Sequence, residues 1–320
     1  MTSRFLRSAT AIFCLAFWGE GFPQAYPSKP ISMVVPLGPG SQADNVARVL
    51  AERLQAALGQ PVLVENRPGA DGTIGTEFVA KAAPDGHTLL FALSSPMTIA
   101  PTLYAERFRY DSEKDFAPIT QVARVTLILT TSAQFPFNDL KQFVAYTRSH
   151  PRTAAIGYLA GINYLMALRV RQAGADVELI RYKGVTAIWT DLLGGRIHAG
   201  VEPLSSDLPQ IQAGKLKALA IFGSSRSALI PDVATVREQG YPEIEGEAWN
   251  ALLARAGTPP AVIDRLNREV VRILALPEVQ ERLRGVEIKT SDPQSLARMI
   301  REDTIRWAKV IRDFDVKPEN

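Results

Sequence analysis

The strongest constraint on this chain is a repeated grammar: a short apolar run, a turn rich in glycine or proline, then apolar residues at helical spacing. Ile31 to Pro36 (ISMVVP) is the first such run. After its turn, Val46, Val49, Leu50, Leu54 and Leu58 recur at the spacing of an amphipathic helix, and Gly59 supplies a stop. The pattern predicts strands at 62–65 and 88–93, with the glycine-rich turn 66–75 and a helix to Lys81 between them. A second series predicts strands at 126–130, 154–158, 177–182, 197–202 and 216–222, and helices at 140–148, 164–172, 186–193 and 208–213. Such alternation implies an α/β fold with mostly parallel sheets covered on both faces.

The tail departs from this grammar. Helices are expected at 259–274, 277–283 and 293–314, each opened by proline, after a strand-like return at 246–254. Three helices with no strand between them would pack on an existing layer. The expected organisation is therefore a leader at 1–25, the first part of lobe one at 26–123 and lobe two at 124–225. A hinge return and C-terminal helices at 226–320 would complete lobe one. The two crossings, near Gln121–Val125 and Ser224–Gly246, would form the hinge.

Ala9 to Trp18 is the longest apolar candidate for a membrane span and is too short for one. It follows Arg4 and Arg7 and reads as a secretory signal cut near Ala25. Export to the periplasm, without membrane insertion after cleavage, follows. Cys14, the one cysteine of the sequence, lies inside this leader. The mature chain would hold no disulfide, thiol nucleophile or cysteine-ligated metal. The 36 Lys and Arg against 33 Asp and Glu are interspersed. No basic run of the kind that grips nucleic acid appears.

The richest stretch for chemistry is Pro36 to Asn45 (PLGPGSQADN), which follows a strand and opens a helix. Ser41 and Asp44 have capping-box spacing, which aims free backbone N–H groups off the helix start, where anions bind. Asp44 itself reads as a cap, since a free carboxylate would repel an anion. Gly38, Gly40 and Ala43 imitate a dinucleotide fingerprint, with Glu65 as a ribose partner, but Pro39 splits the glycines and an exported protein meets little nicotinamide cofactor. Comparable turns follow other strands: 69–75, Ser94-Ser95-Pro96, 158–163, 183–186 and 202–206. Ligands of open α/β sheets bind beyond such strand ends. His87, His150 and His198 are scattered without metal-ligand spacing, and there is no G-x-S-x-G elbow. The reading is of a non-enzyme with no metal and no cofactor.

Many ordered segments resemble the solute receptors of tripartite tricarboxylate transporters, the Bug-type periplasmic binding proteins. The strongest are VENRPGADGTIG from Val64 and APDGHTLL from Ala83. YPSKPISMVVPLGPGSQADN, RYKG with TDLLGGRI, AGKLKALA, PDVATVREQG and LLARAGTPPAVIDRLN extend the resemblance over nearly the whole mature chain. It implies a two-lobed periplasmic-binding-protein-like fold of type II, closing by hinge motion on a ligand in the cleft between lobes. It also implies capture of a small organic carboxylate by loop amides, hydroxyls and waters, and delivery to membrane transporter subunits. A ligand-sensing subunit for a membrane two-component system is the alternative.

In family terms Pro36, Gly38, Gly40, Ser41 and Asp44 fall on the first ligand loop, Thr73 and Gly75 on the second, and Ser94, Ser95 and Met97 on the third. Gly161 and Asn163 fall on the anion loop of lobe two, Tyr182 and Lys183 on the YKG turn, and Glu202 where Asp is usual. Gly157-Tyr158-Leu159-Ala160-Gly161 departs from the family's serine- and glycine-rich loop. Tyr164, Met97, Ala100 and Pro203 likewise replace polar types. These changes suggest a ligand with an apolar or aromatic portion beside its carboxylate.

Overall fold

The computed structural model describes residues 26–318; the expected leader lies outside them. In chain order the first half runs β1 (Ile31–Val35), α1 (Gln42–Leu58), β2 (Val62–Asn66), α2 (Thr73–Ala80), β3 (Thr88–Leu93), α3 (Ser94–Thr98), α4 (Ala100–Leu103) and β4 (Phe116–Val125). The chain continues through β5 (Leu127–Ser132), α5 (Leu140–Ser149), β6 (Ala154–Tyr158), α6 (Ile162–Gln172), β7 (Val177–Arg181), α7 (Val185–Leu193), β8 (Ala199–Pro203), α8 (Leu204–Gln212) and β9 (Leu216–Ile221). It returns through β10 (Ala248–Arg255), α9 (Pro260–Leu274), α10 (Pro277–Arg282), β11 (Glu287–Ile288) and α11 (Pro293–Asp313).

Two sheets form. One has the order β11-β4-β10-β3-β1-β2 and the other β7-β6-β8-β5-β9. They are mixed rather than mostly parallel. β1 pairs β2 and β3 in parallel, as β6 pairs β7 and β8. β4, β5, β9, β10 and β11 pair antiparallel. The reason is the lobe crossing. A parallel neighbour needs a crossover, usually a helix, to bring the chain back, whereas β4 passes directly into β5 through Thr126. β5 then inserts between β8 and β9, and on the return β10 inserts between β3 and β4.

Successive strand residues join opposite faces of each sheet, as a strand period of two requires. Leu127 and Leu129 face one layer of the second sheet, with Phe143 of α5 and Leu165 of α6, while Ile128 joins Leu204 and Leu208 on the other. Met33, Leu50 and Leu266 fill the α1 and α9 side of the first sheet; Val34, Val79 and Trp249 fill its opposite side. The segment after β9 stays with the second sheet: Thr235 bridges Ile221, and Gln239 donates to the carbonyl of Leu219 at 2.8 Å. Helix α11 belongs to both halves. Leu296 and Ile300 are buried in the core of the first sheet, whereas Trp307 and Ile311 are buried with Met166 of α6 in that of the second.

Candidate functional site

The helix starts do what their caps dictate. Ser41 is the N-cap of α1, its hydroxyl accepting from the Asp44 N–H at 3.2 Å. Asp44 Oδ2 reaches back to accept from the Gly40 N–H at 2.9 Å and also takes Arg48 Nε at 3.0 Å; Asp44 Oδ1 takes Asn66 Nδ2 at 2.9 Å. Burial alone would raise the Asp44 carboxyl, but the bonds to Arg48, Gly40 and Asn66 outweigh it and hold it below its usual range. The carboxylate is committed to shaping the loop. Gly40 sits at φ 80°, a left-handed position that suits glycine.

Three lobe-one loops pack edge to edge. A Cβ on Gly75 would fall 2.8 Å from the Arg67 carbonyl oxygen and 3.0 Å from Pro36 Cβ, and one on Gly72 would fall 3.0 Å from Pro96 Cγ. Glycine lets the mouths of β1, β2 and β3 merge into one surface. Thr73 Oγ1 donates to the Ala70 carbonyl, closing the second turn. Ser94 is buried at the start of α3, and Met97 is fully buried in the lobe-one core with Val34 and Trp249. Ala100 is likewise buried.

Ser95 points the other way. Its hydroxyl accepts from the N–H of Ile162, the first residue of α6 in the opposite half, at 3.0 Å. Gly161, the N-cap of α6, has φ 68° and ψ −127° and offers no side chain for capping. Asn163 Nδ2 donates to the Ala160 carbonyl at 3.3 Å, while its Oδ1 is buried without a partner. Tyr158 and Tyr164 pack with ring centroids 5.4 Å apart. One turn along, Arg181 at the end of β7 forms an ion pair with Asp71 of the lobe-one turn at 2.9 Å, and Tyr104 donates to the other Asp71 oxygen at 3.2 Å. The two sets of strand mouths therefore face each other. Near the crossing from β4 to β5, Gln42, Thr126 and Ser205 line a small crevice that both halves share.

Not every expected residue lies here. Tyr182 turns aside, donating to Asp191 Oδ2 at 2.6 Å; burial first, then the hydrogen bond to Asp191 and the charge of that carboxylate, push its hydroxyl up to about 12. Lys183 is exposed on the same turn. Glu202 is fully buried between β8 and helices α7 and α8, beside Asp207. Trp189 Nε1 donates to Asp207 Oδ1 at 2.7 Å. Burial, then the neighbouring Asp207 charge, drives the Glu202 carboxyl well above its ordinary range, and burial raises Asp207 as well. Both Glu202 oxygens and Asp207 Oδ2 find no donor when the two acids are ionised; a proton held on Glu202 supplies one. Nothing in the sequence alone marks Asp71, Arg181 or the Ile162 amide. Asp71 and Arg181 lie inside the quoted ADG and RYKG turns, but nothing local marks them as partners.

Two sheets joined by strand crossings, with loop mouths opposed across a cleft, define the class: a periplasmic solute-binding fold. Solved structures agree. One described as a periplasmic transporter shares 35% identity at a TM-score of 0.83, over 92% of this chain and 99% of that one. MatC of Rhodopseudomonas palustris, solved with bound malate, shares 31% at 0.79, over 89% of this chain and 100% of that one. An R. palustris protein solved with adipate shares 27% at 0.83, over 92% and 100%. Protein BugT of Bordetella pertussis (strain Tohama I) is 38% identical over 298 residues, 91% of each chain. The profile of the tripartite tricarboxylate transporter family receptors matches residues 46–316, and the chain belongs to that family.

Proposed function

We propose that the chain is a periplasmic receptor that captures a small organic carboxylate between its lobes and delivers it to the membrane subunits of a tripartite transporter. The observation that carries this reading is the meeting of helix starts from both halves at one cleft, where Ser95 of α3 touches the first amide of α6. Amide groups at such starts attract a carboxylate without requiring a side-chain cation. The malate and adipate complexes of the two R. palustris relatives support the ligand class.

In this reading the amides and hydroxyls around Pro36, Gly38, Gly40, Ser41, Thr73, Gly75 and Ser95 form one jaw, and those around Gly161 and Asn163 form the other. Asp44, Met97 and Glu202 support the jaws from beneath. The crossings at 121–125 and 224–246 act as the hinge, and residues 1–25 act as a cleaved export signal. An apolar portion of the ligand would rest near Leu159 and Tyr164; Met97 and Ala100 are buried in the core and lend that idea no support.

A thermal-shift panel of malate, citrate, adipate and aromatic monoacids tests the reading, with mass spectrometry of co-purifying acids. A true ligand at a hundredfold excess over Kd adds about 2.7 kcal/mol of stability. Absence of saturable binding across the panel and of any co-purified acid, or turnover of the bound acid, would overturn it.

A further inference from the structure

The two halves touch through the protein's own atoms at two separate points of the cleft mouth. The first is the Asp71–Arg181 ion pair at 2.9 Å, in which Asp71 also accepts from the Tyr104 hydroxyl. The second is Ser95 Oγ accepting from the Ile162 N–H at 3.0 Å. This second contact replaces a missing cap. Gly161 holds the N-cap position of α6 without a side chain, and the hydroxyl that serves the helix start comes from the opposite lobe. The fit is close, because a Cβ on Gly161 would lie 2.6 Å from Ser95 Oγ and 2.8 Å from Ser95 Cβ. Neither contact requires a ligand atom. Around them, Ile99 and Leu103 of lobe one join Ile162, Leu165 and Met166 of lobe two in one continuous buried cluster.

We infer that Asp71, Ser95 and Arg181 form a latch between the lobes, so that the receptor reaches its closed form through its own contacts and a ligand shifts a population that already exists. Asp71 suits this task for a local reason. It stands at φ 55°, between Ala70 at φ 45° and Gly72 at φ 91°, and Asp is among the few residues that tolerate this region. The turn thereby presents the carboxylate at the cleft mouth rather than along the strand. Arg181 occupies the last position of β7, where the strand opens into the turn before α7. The inference rests on the receptor reading only for its consequence, a slower release of ligand.

The test is single-molecule energy transfer in the ligand-free full chain, carrying Cys14→Ser and dyes at the exposed positions Lys81→Cys and Gln172→Cys, one on each lobe. Asp71→Asn, Arg181→Gln and their double variant form a cycle; asparagine also accepts the left-handed conformation, so the turn is preserved. Each single variant is expected to lower the closed-to-open ratio about three- to fivefold, as for a modest ion pair, with the double variant no lower than either. Raising the salt concentration should shrink the closed population of the wild type but not of Asp71→Asn. Ser95→Ala should lower it independently. A wild type with no closed population, single variants without effect, or effects that multiply in the double variant would overturn the latch. Because no ligand enters the measurement, failure of the carboxylate reading would leave these outcomes unchanged.

Discussion

Replacing Glu202 by glutamine should stabilise the protein at neutral pH, and the gain should vanish in acid. Glu202 has no solvent exposure, and its carboxyl shares a pocket with Asp207, which already accepts from Trp189. Holding both acids ionised there would place two like charges together out of water, so the folded state keeps a proton on Glu202. The unfolded chain releases that proton near the ordinary value of 4.5. The folded state thus binds more protons than the unfolded state above that pH, and stability falls as pH rises. The slope from this one group is at most about 1.4 kcal/mol per pH unit. Over the roughly 2.5 units to pH 7 the cost approaches about 3 kcal/mol, a ceiling reached if the folded carboxyl is still fully protonated there. Glutamine is nearly isosteric and presents an N–H donor to Asp207 at every pH. Urea unfolding of both proteins at pH 4.5, 5.5, 6.5 and 7.5 measures the difference for the Glu202–Asp207 pair, since titrating groups outside the pair contribute alike and cancel. The expected result is near equality at pH 4.5 and a glutamine variant about 1–3 kcal/mol more stable near pH 7. A difference that does not change with pH, or a wild type more stable than the variant at pH 7, would refute the proton-sharing account.

Three further substitutions probe the loops and the bridge between halves. Asp44→Ala removes the acceptor of Gly40, Arg48 and Asn66 together and should cost about 1–2 kcal/mol in urea unfolding. Because the folded Asp44 carboxyl is held low, its contribution is full above the ordinary value of 3.8 and disappears as pH falls through the lower folded value, so the two proteins should converge in strong acid. Gly75→Ala places a methyl 2.8 Å from the Arg67 carbonyl, a backbone atom that cannot step aside cheaply, and should lower the unfolding free energy by about 1–3 kcal/mol. Trp307→Ala empties a fully buried site shared by α11, Met166 and Gly246 and should cost about 3–5 kcal/mol by the same measurement.

The reach of the sequence follows the range of the physics involved. Strand β3 and helix α1 were legible because each is set by periodicity and by signals within a few residues: Ser41 caps α1 and Gly59, at φ 73°, ends it. Helix α6 begins two residues before the expected 164–172, since Gly161 offers no capping side chain to read. Strand β4 lies wholly outside the expected strands, because its register is fixed by β10, more than a hundred residues downstream, rather than by any local turn. The mixed pairing of both sheets has the same origin. Within the site, Gly72 and Gly75 were visible as a glycine-rich turn, but the contacts with Pro36 and Pro96 that demand glycine appear only once three loops are stacked. Glu202 stands one residue from the end of its strand, where a side chain can face either the cleft or the core. The parity it shares with Gly200, whose missing side chain leaves room for its carboxyl, sends it inward. Asp71 and Arg181 are the extreme case. They are 110 residues apart in sequence, and one is a charge in a turn and the other a charge at a strand end until the crossings bring the two halves face to face. Local rules position the loops of such a receptor, whereas the contacts that govern how its lobes meet arise only from the chain passing twice between sheets.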